Sequence, residues 1–144
     1  MYLPSRIIHA RGLEPLSLTA APLESAGAIS VIAVGALVLL RCVWDFFAAG
    51  RGTLAPIDPP RHLVVRGLYR YTRNPMYNGV LAVLLGEAWL FHSLALLQFA
   101  ALMFLIFHVF VIGYEEPALE AQFGERYRAY RAAVPRWGAT VARR

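Results

Sequence analysis

The run Pro75–Tyr114, "PMYNGVLAVLLGEAWLFHSLALLQFAALMFLIFHVFVIGY", decides the fold class. It contains a single charged side chain, Glu87, and is about twice as long as the roughly 20 residues that cross a bilayer as one helix. The polar sequence Phe91–Ser93 is a natural break. The run therefore predicts a helical hairpin over residues 76–114, with arms at 76–91 and 94–114.

The composition of the whole chain is that of a membrane protein. Of its 144 residues, 58% are hydrophobic and 16% are charged, and the mean hydropathy is +0.51. Soluble domains contain about 45–50% apolar residues, and this length accommodates one domain. We expect a single all-α, multi-pass transmembrane domain over residues 1–144, with lipid solvating much of its surface.

A first span is predicted before the hairpin, at residues 27–49, which gives about three spans in total. Arg41 and Asp45 are four residues apart near its end, so they share a helical face and can pair at the membrane interface. Residues 1–26 have no apolar core long enough for a signal peptide. We interpret them as a poorly defined N-terminal segment.

The distribution of arginine predicts the orientation in the membrane. All 14 basic residues of the chain are arginines. The loop 50–75 and the tail 115–144 are rich in them, whereas the hairpin tip has none. The positive-inside rule places the loop and the tail in the cytoplasm. Three spans then put Arg6 and Arg11 outside, against the same rule.

The tail also carries a periodic apolar stripe. Its members recur at intervals of three and four residues, with arginines between them: Leu119, Phe123, Tyr127 and Tyr130. This spacing predicts a C-terminal amphipathic helix on the membrane surface.

Two classes of site are disfavoured. The net charge is +5, but the arginines flank apolar runs instead of forming a soluble basic face, which favours contact with membrane lipids and no nucleic-acid partner. The histidines show no metal-ligand spacing with each other or with the lone Cys42, so we predict no metal site.

The predicted topology brings two polar segments, 50–77 and 115–137, to the same membrane face. A pocket between them would be polar toward the cytoplasm and apolar toward the lipid, which suits a reaction between a soluble cofactor and a lipid-borne group. Adjacent Glu115 and Glu116 need cations or hydrogen-bond donors nearby. Alternatively, they only end a span at the water.

Several polar residues have an ordinary interpretation when taken singly. Glu87 lies deep in the second span and is either functional or bonded across helices. His108 is interpreted as a packing histidine. Four residues also suit simple interfacial anchoring: Tyr69, Tyr71, Arg73 and Tyr77.

Two stretches together are more specific than any single residue. "GLYRYTRNPMYNG", residues 67–79, precedes the hairpin, and "EEPALEAQFGERYRAYRAAVPRW", residues 115–137, follows it. This pattern resembles the isoprenylcysteine carboxyl methyltransferase and phospholipid methyltransferase group of small multi-pass membrane enzymes. The resemblance covers residues 50–137. The chain has no strand–GxGxxG–helix unit of the soluble doubly wound methyltransferases.

The resemblance implies S-adenosylmethionine as the cofactor and assigns residues to its pocket. Arg73 and Glu116 are the implied catalytic residues. Gly50 and Gly52 match a Gly-x-Gly of the family. The other implied cofactor-binding residues are Tyr69, Arg73, Asn74, Pro75, Tyr77, Glu115, Glu116, Tyr127 and Tyr130.

The acceptor implied by the resemblance is a lipid or a prenylated small molecule. The expected reaction is O-methylation like that of the isoprenylcysteine enzymes. The alternatives are N-methylation of a phospholipid amine, with Glu115 or Glu116 as base, and a non-catalytic membrane scaffold or subunit. Asn74 stands where prenylcysteine enzymes usually have histidine, so the acceptor stays open. Relatives also carry an N-terminal span that residues 1–26 lack or replace.

Overall fold

The computed structural model describes residues 22–48, 63 and 65–139. Within these ranges the chain forms helices and no strand, which confirms the all-α prediction. The α-helices are α1 (Pro22–Ala48), α2 (Pro75–Leu90), α3 (Leu94–Phe110), α4 (Glu116–Phe123) and α5 (Glu125–Ala133). A 3-10 turn, Gly67–Arg70, precedes α2, and a π-helical turn, Val111–Glu115, joins α3 to α4.

Helix α1 begins at Pro22, and not at Gly27 as predicted. Proline is well suited to a first helical turn, because its missing N–H would have no intrahelical partner there. Residues 22–26 therefore belong to the helix and not to a poorly defined segment. The stretch Pro22–Asp45 is long and apolar enough to cross a membrane. Near its end, Arg41 Nη2 lies 3.0 Å from Asp45 Oδ1, the predicted pairing.

Helices α2 and α3 are separated at Phe91–Ser93, where the hairpin break was predicted. Helix α3 does not end at Tyr114. It continues through the π-helical turn into α4, and Leu94–Phe123 is the second stretch long and apolar enough to cross a membrane.

Helix α2 is the shortest of the three predicted spans. It has 16 residues, or about 24 Å at 1.5 Å per residue, so a third crossing stays a prediction. Glu87 is not deep in this helix. It lies one turn from the last residue, Leu90, and therefore close to the hairpin end.

The tail is two short helices and not the single amphipathic helix that was predicted. The break lies at Gly124, whose φ of +56° is a conformation that residues with a Cβ rarely adopt. The break separates Phe123, which is half-buried, from Tyr127, which is only 2% exposed. The apolar stripe of the tail is therefore bent inward after Gly124.

Small residues allow α1 and α2 to pack closely. A Cβ on Gly35 would lie 2.8 Å from the Gly79 carbonyl oxygen and 2.9 Å from the Val83 amide nitrogen. A Cβ on Gly86 would lie 2.6 Å from Ile32 Cγ1. Close backbone approach at small residues is a common way for helices to associate in lipid, where apolar burial alone does not hold helices together.

We predict that Gly35→Ala destabilises the protein, because the added methyl group meets backbone atoms that cannot move without separating the helices. The expected loss of unfolding free energy is about 1–3 kcal/mol. Gly113→Ala is the matched control, because no atom lies within 4 Å of the position that its Cβ would occupy. Thermal unfolding in detergent, followed by circular dichroism, measures both. Equal midpoints for the two variants would contradict the close α1–α2 contact.

Candidate active site

Glu116 lies at the centre of a buried ion-pair cluster beside the start of α2. Its Oε1 accepts hydrogen bonds from Arg73 Nη1 at 2.8 Å and from Arg136 Nε at 2.6 Å. Its Oε2 accepts from Arg136 Nη2 at 2.9 Å. Arg136 therefore binds the carboxylate bidentately, a strong charge-assisted geometry. The side chains of Arg73 and Glu116 are only 10% and 9% exposed.

Arg136 reaches Glu116 from a segment that we call the C-terminal strap, residues 134–139. The segment before α2 holds the strap through its backbone. Arg73 N donates to Pro135 O at 2.9 Å, and Asn74 Nδ2 donates to Arg136 O at 3.1 Å. Thr72 Oγ1 also donates to Arg136 O, at 3.4 Å. The buried side chain of Asn74 thus positions the strap.

The strap is also fixed against α3. Trp137 Nε1 donates to His108 Nδ1 at 3.0 Å, and the Trp137 ring packs 5.2 Å from the Phe104 ring, centroid to centroid. His108 has the packing role that was expected of it, with its ring nitrogen satisfied by the indole.

Three tyrosines surround the ion-pair cluster. Arg73 Nη1 donates to the Tyr127 hydroxyl at 3.4 Å, and the Tyr130 hydroxyl donates to Tyr69 O at 2.7 Å. Burial raises the pKa of Tyr69, Tyr127 and Tyr130 above the ordinary tyrosine value. The charge of Glu116 raises the pKa of Tyr127 further, against the hydrogen bond from Arg73. All three hydroxyls therefore stay protonated at neutral pH.

Arg136, which joins the strap to the ion-pair cluster, is also held in its charged form. Its hydrogen bond to Glu116 raises the pKa of Arg136 above the ordinary arginine value. The ion pair therefore persists across the whole physiological pH range.

Glu115 has a different environment from its neighbour. Its Oε2 accepts from the Tyr77 hydroxyl at 3.4 Å, which is long for a hydrogen bond between oxygens. The Tyr77 ring stacks on Phe107, with centroids 4.6 Å apart. Tyr77 is thus held by packing between α2 and α3, while Glu115 is held only loosely.

Comparison with known proteins identifies the family of the chain. A phospholipid methyltransferase family model matches residues 23–126. The chain belongs to the phospholipid methyltransferase family. An uncharacterized protein of Haemophilus influenzae is 41% identical over 63 residues, which make up 43% of this chain and 98% of that protein. No solved structure matches the chain significantly.

Membership of the phospholipid methyltransferase family confirms the resemblance drawn from the two polar stretches. It indicates a membrane methyltransferase that acts on lipids. The two long apolar helices, which lie at opposite ends of the described chain, agree with a membrane location.

The structure brings most of the predicted site residues together around the start of α2. Their contacts to a cofactor remain predictions. Gly50 and Gly52 lie outside the described residues. The residues that the structure does bring together are Tyr69, Arg73, Asn74, Pro75, Tyr77, Glu115, Glu116, Tyr127 and Tyr130.

Three residues of the site were not predicted from the sequence: Thr72, Arg136 and Trp137. The available signal was weak. Arg136 follows Pro135 directly, outside the helical stripe, and is therefore a tail arginine with no place on a surface helix. Nothing in the sequence indicates that it turns back to the start of α2.

The residue types of the site fit an S-adenosylmethionine molecule, which carries a carboxylate, an ammonium group and a sulfonium. Arg73 Nε is buried and has no hydrogen-bond partner in the described part of the chain, so it offers a donor for a ligand carboxylate. The Glu115 carboxylate gives the site a negative charge, which suits the positive charge of a bound sulfonium. Tyr77 and Trp137 offer apolar faces.

We predict that Arg136→Ala lowers the free energy of unfolding by about 1–3 kcal/mol, because buried Glu116 loses two of its charge-assisted hydrogen bonds and keeps only Arg73. Arg128→Ala is the control. Arg128 forms exposed ion pairs with Glu120 and Glu125, and such pairs contribute about 0–1 kcal/mol. Denaturant unfolding in detergent compares the variants. Equal stability of the two would show that the buried cluster does not hold the strap.

Proposed function

We propose that this chain is an S-adenosylmethionine-dependent methyltransferase whose acceptor is the amine of a phospholipid headgroup. One observation carries the choice of acceptor. Glu116 takes up the charged ends of both Arg73 and Arg136, whereas the carboxylate of Glu115 is left with a single long contact. The site therefore has an available anion, which suits a cationic or amine group.

The arginines argue against a carboxylate acceptor. A carboxylate in an apolar site needs a cation to position it. The free donor of the cluster, Arg73 Nε, is already matched to the carboxylate of the cofactor in this proposal. Arg136 already donates Nε and Nη2 to Glu116, and Arg73 donates Nη1 to the same carboxylate.

The residues have distinct roles in this reaction. S-adenosylmethionine, when bound, supplies an electrophilic methyl group. Arg73 would bind and orient the carboxylate of the cofactor through its buried guanidinium. Glu115 would stabilise the positive charge that develops on the acceptor nitrogen. Phe104, Phe107 and Trp137 form an apolar wall that excludes water from the reacting atoms. The lipid-facing helices allow the acceptor to arrive from the bilayer.

Two measurements test the proposed function. Calorimetric titration of the detergent-solubilised protein with S-adenosylhomocysteine should show saturable binding. Incubation with methyl-labelled cofactor and phosphatidylethanolamine vesicles should put label into lipid that resists mild base, because methylamines survive base and methyl esters do not.

Two other outcomes would favour the alternative functions. Base-labile label in a lipid extract would favour a carboxylate on a prenylated acceptor. No binding of S-adenosylhomocysteine by well-folded protein, together with no labelled lipid, would favour a non-catalytic membrane subunit.

A further inference from the structure

Two adjacent glutamates lie where the π-helical turn meets α4, yet their carboxylates differ in how many hydrogen bonds they accept. The carboxylate of Glu116 accepts three hydrogen bonds, all of them from arginines and none longer than 2.9 Å. Among the described residues, the carboxylate of Glu115 accepts one hydrogen bond, at 3.4 Å, and it comes from the neutral hydroxyl of Tyr77. Glu116 is buried, whereas Glu115 is half-buried.

Glu116 cannot accept a proton from the substrate without losing its hydrogen bonds to Arg73 and Arg136. Both of its oxygens lie in charge-assisted hydrogen bonds, which favour the ionised form strongly. Protonation would also leave Arg73 and Arg136 as two buried or half-buried cations facing a neutral acid. Such a group is suited to fixing structure and not to exchanging protons.

Glu115 combines an available carboxylate with a backbone that is held in helical structure. The π-helical turn Val111–Glu115 ends on it, and wide turns of this kind are frequent at functional sites. Its partner Tyr77 is stacked on Phe107 and cannot follow a departing ligand. The Tyr77 hydroxyl therefore orients Oε2 of Glu115, while Oε1 has no hydrogen bond to any described residue.

We propose that the two glutamates have separate functions. Glu115 is the catalytic residue that contacts the acceptor amine and takes up its proton, with Tyr77 as its positioning residue. Glu116 is a positioning residue that acts through Arg73 and Arg136 and never touches the reacting atoms. This inference rests on the proposed methyltransferase function, and it replaces Glu116 by Glu115 as the catalytic carboxylate.

The acceptor reacts as its neutral amine. The nitrogen lone pair of the acceptor forms a bond to the methyl carbon, and the carbon–sulfur bond breaks with its electron pair remaining on sulfur, so that the sulfonium becomes a neutral thioether. The nitrogen is now positively charged. Its N–H proton passes to Oε1 of Glu115 as this charge develops, and Glu115 releases the proton to water after the product leaves.

The test uses three matched variants of the full-length protein in lipid: Glu115→Gln, Glu116→Gln and, as control, Glu125→Gln. Glu125 lies in the exposed first turn of α5, with its side chain 84% exposed. For each variant we would measure the thermal midpoint, the Kd of S-adenosylhomocysteine, and kcat for labelled methyl transfer as a function of pH. Glu115→Asp, which keeps the carboxylate, is the rescue variant.

We expect Glu115→Gln to keep the wild-type thermal midpoint while its kcat falls by about 100-fold or more, the usual loss for a missing general base. The decline of kcat at acid pH, caused by protonation of Glu115, should disappear in this variant and return in Glu115→Asp. Glu116→Gln should instead lower the thermal midpoint and weaken S-adenosylhomocysteine binding, because Arg73 and Arg136 lose their common partner, and keep the acid decline in its residual activity.

Results that contradict this inference can be told apart from results that contradict the proposed function. A Glu115→Gln protein that is unfolded, or that methylates lipid at the wild-type rate, overturns the inference. So does a Glu116→Gln protein with wild-type stability and no acid decline. If the wild-type protein neither binds S-adenosylhomocysteine nor methylates lipid, the proposed function fails and this inference with it. An active wild-type enzyme with an unaffected Glu115→Gln variant contradicts only the division between the glutamates.

Discussion

The candidate site at the start of α2 depends on one buried carboxylate held between two arginines. Burying Glu116 beside apolar helix ends is unfavourable unless cations and donors surround it. Arg73 comes from the segment before α2, and Arg136 comes from the strap that follows α5. Satisfying a single ionised group therefore draws together three parts of the chain that are distant in sequence.

This requirement explains why irregular backbone can lie at the end of a membrane helical hairpin. The segment before α2 and the strap satisfy each other through Arg73 N and Pro135 O, and through the side chains of Thr72 and Asn74. Backbone groups that helices leave unpaired find partners in this contact. The site consequently lies where regular structure stops, next to helices that are held together by close contacts at glycines.

The π-helical turn Val111–Glu115 also determines the geometry of the site. It carries the chain from the apolar α3 into the short α4 without ending the helix, and it places two adjacent glutamates in different surroundings. Glu115 meets a tyrosine between α2 and α3, and Glu116 meets the arginines of the strap. A regular α-helical turn also separates neighbouring side chains by about 100°, but which of the two meets the strap depends on where the strap lies.

Much of the fold follows from the sequence, because apolar length and polar breaks are local properties. The all-α class and the break at Phe91–Ser93 were predictable in this way. The resemblance to a known group of methyltransferases pointed to residues 67–79 and 115–137 as the parts of one site. The start of α1 at Pro22 and the division of the tail at Gly124 were missed. The start of α1 was missed because this helix extends beyond its purely apolar part. The division of the tail was missed because it depends on a positive φ at Gly124, which the spacing of apolar residues does not reveal.

The candidate site, like the fold, was predictable from the sequence only in part. The sequence determined which residues are candidates, because its pattern of arginine, asparagine, tyrosine and paired glutamates resembles that of a known group of methyltransferases. Only the tertiary structure decided that Arg136 joins them, that Asn74 holds the strap, and that Glu115 and Glu116 differ in engagement. The physical reason is that a charged side chain is defined by its partners. For Glu116 those partners lie 43 and 20 residues away, beyond the reach of any local pattern.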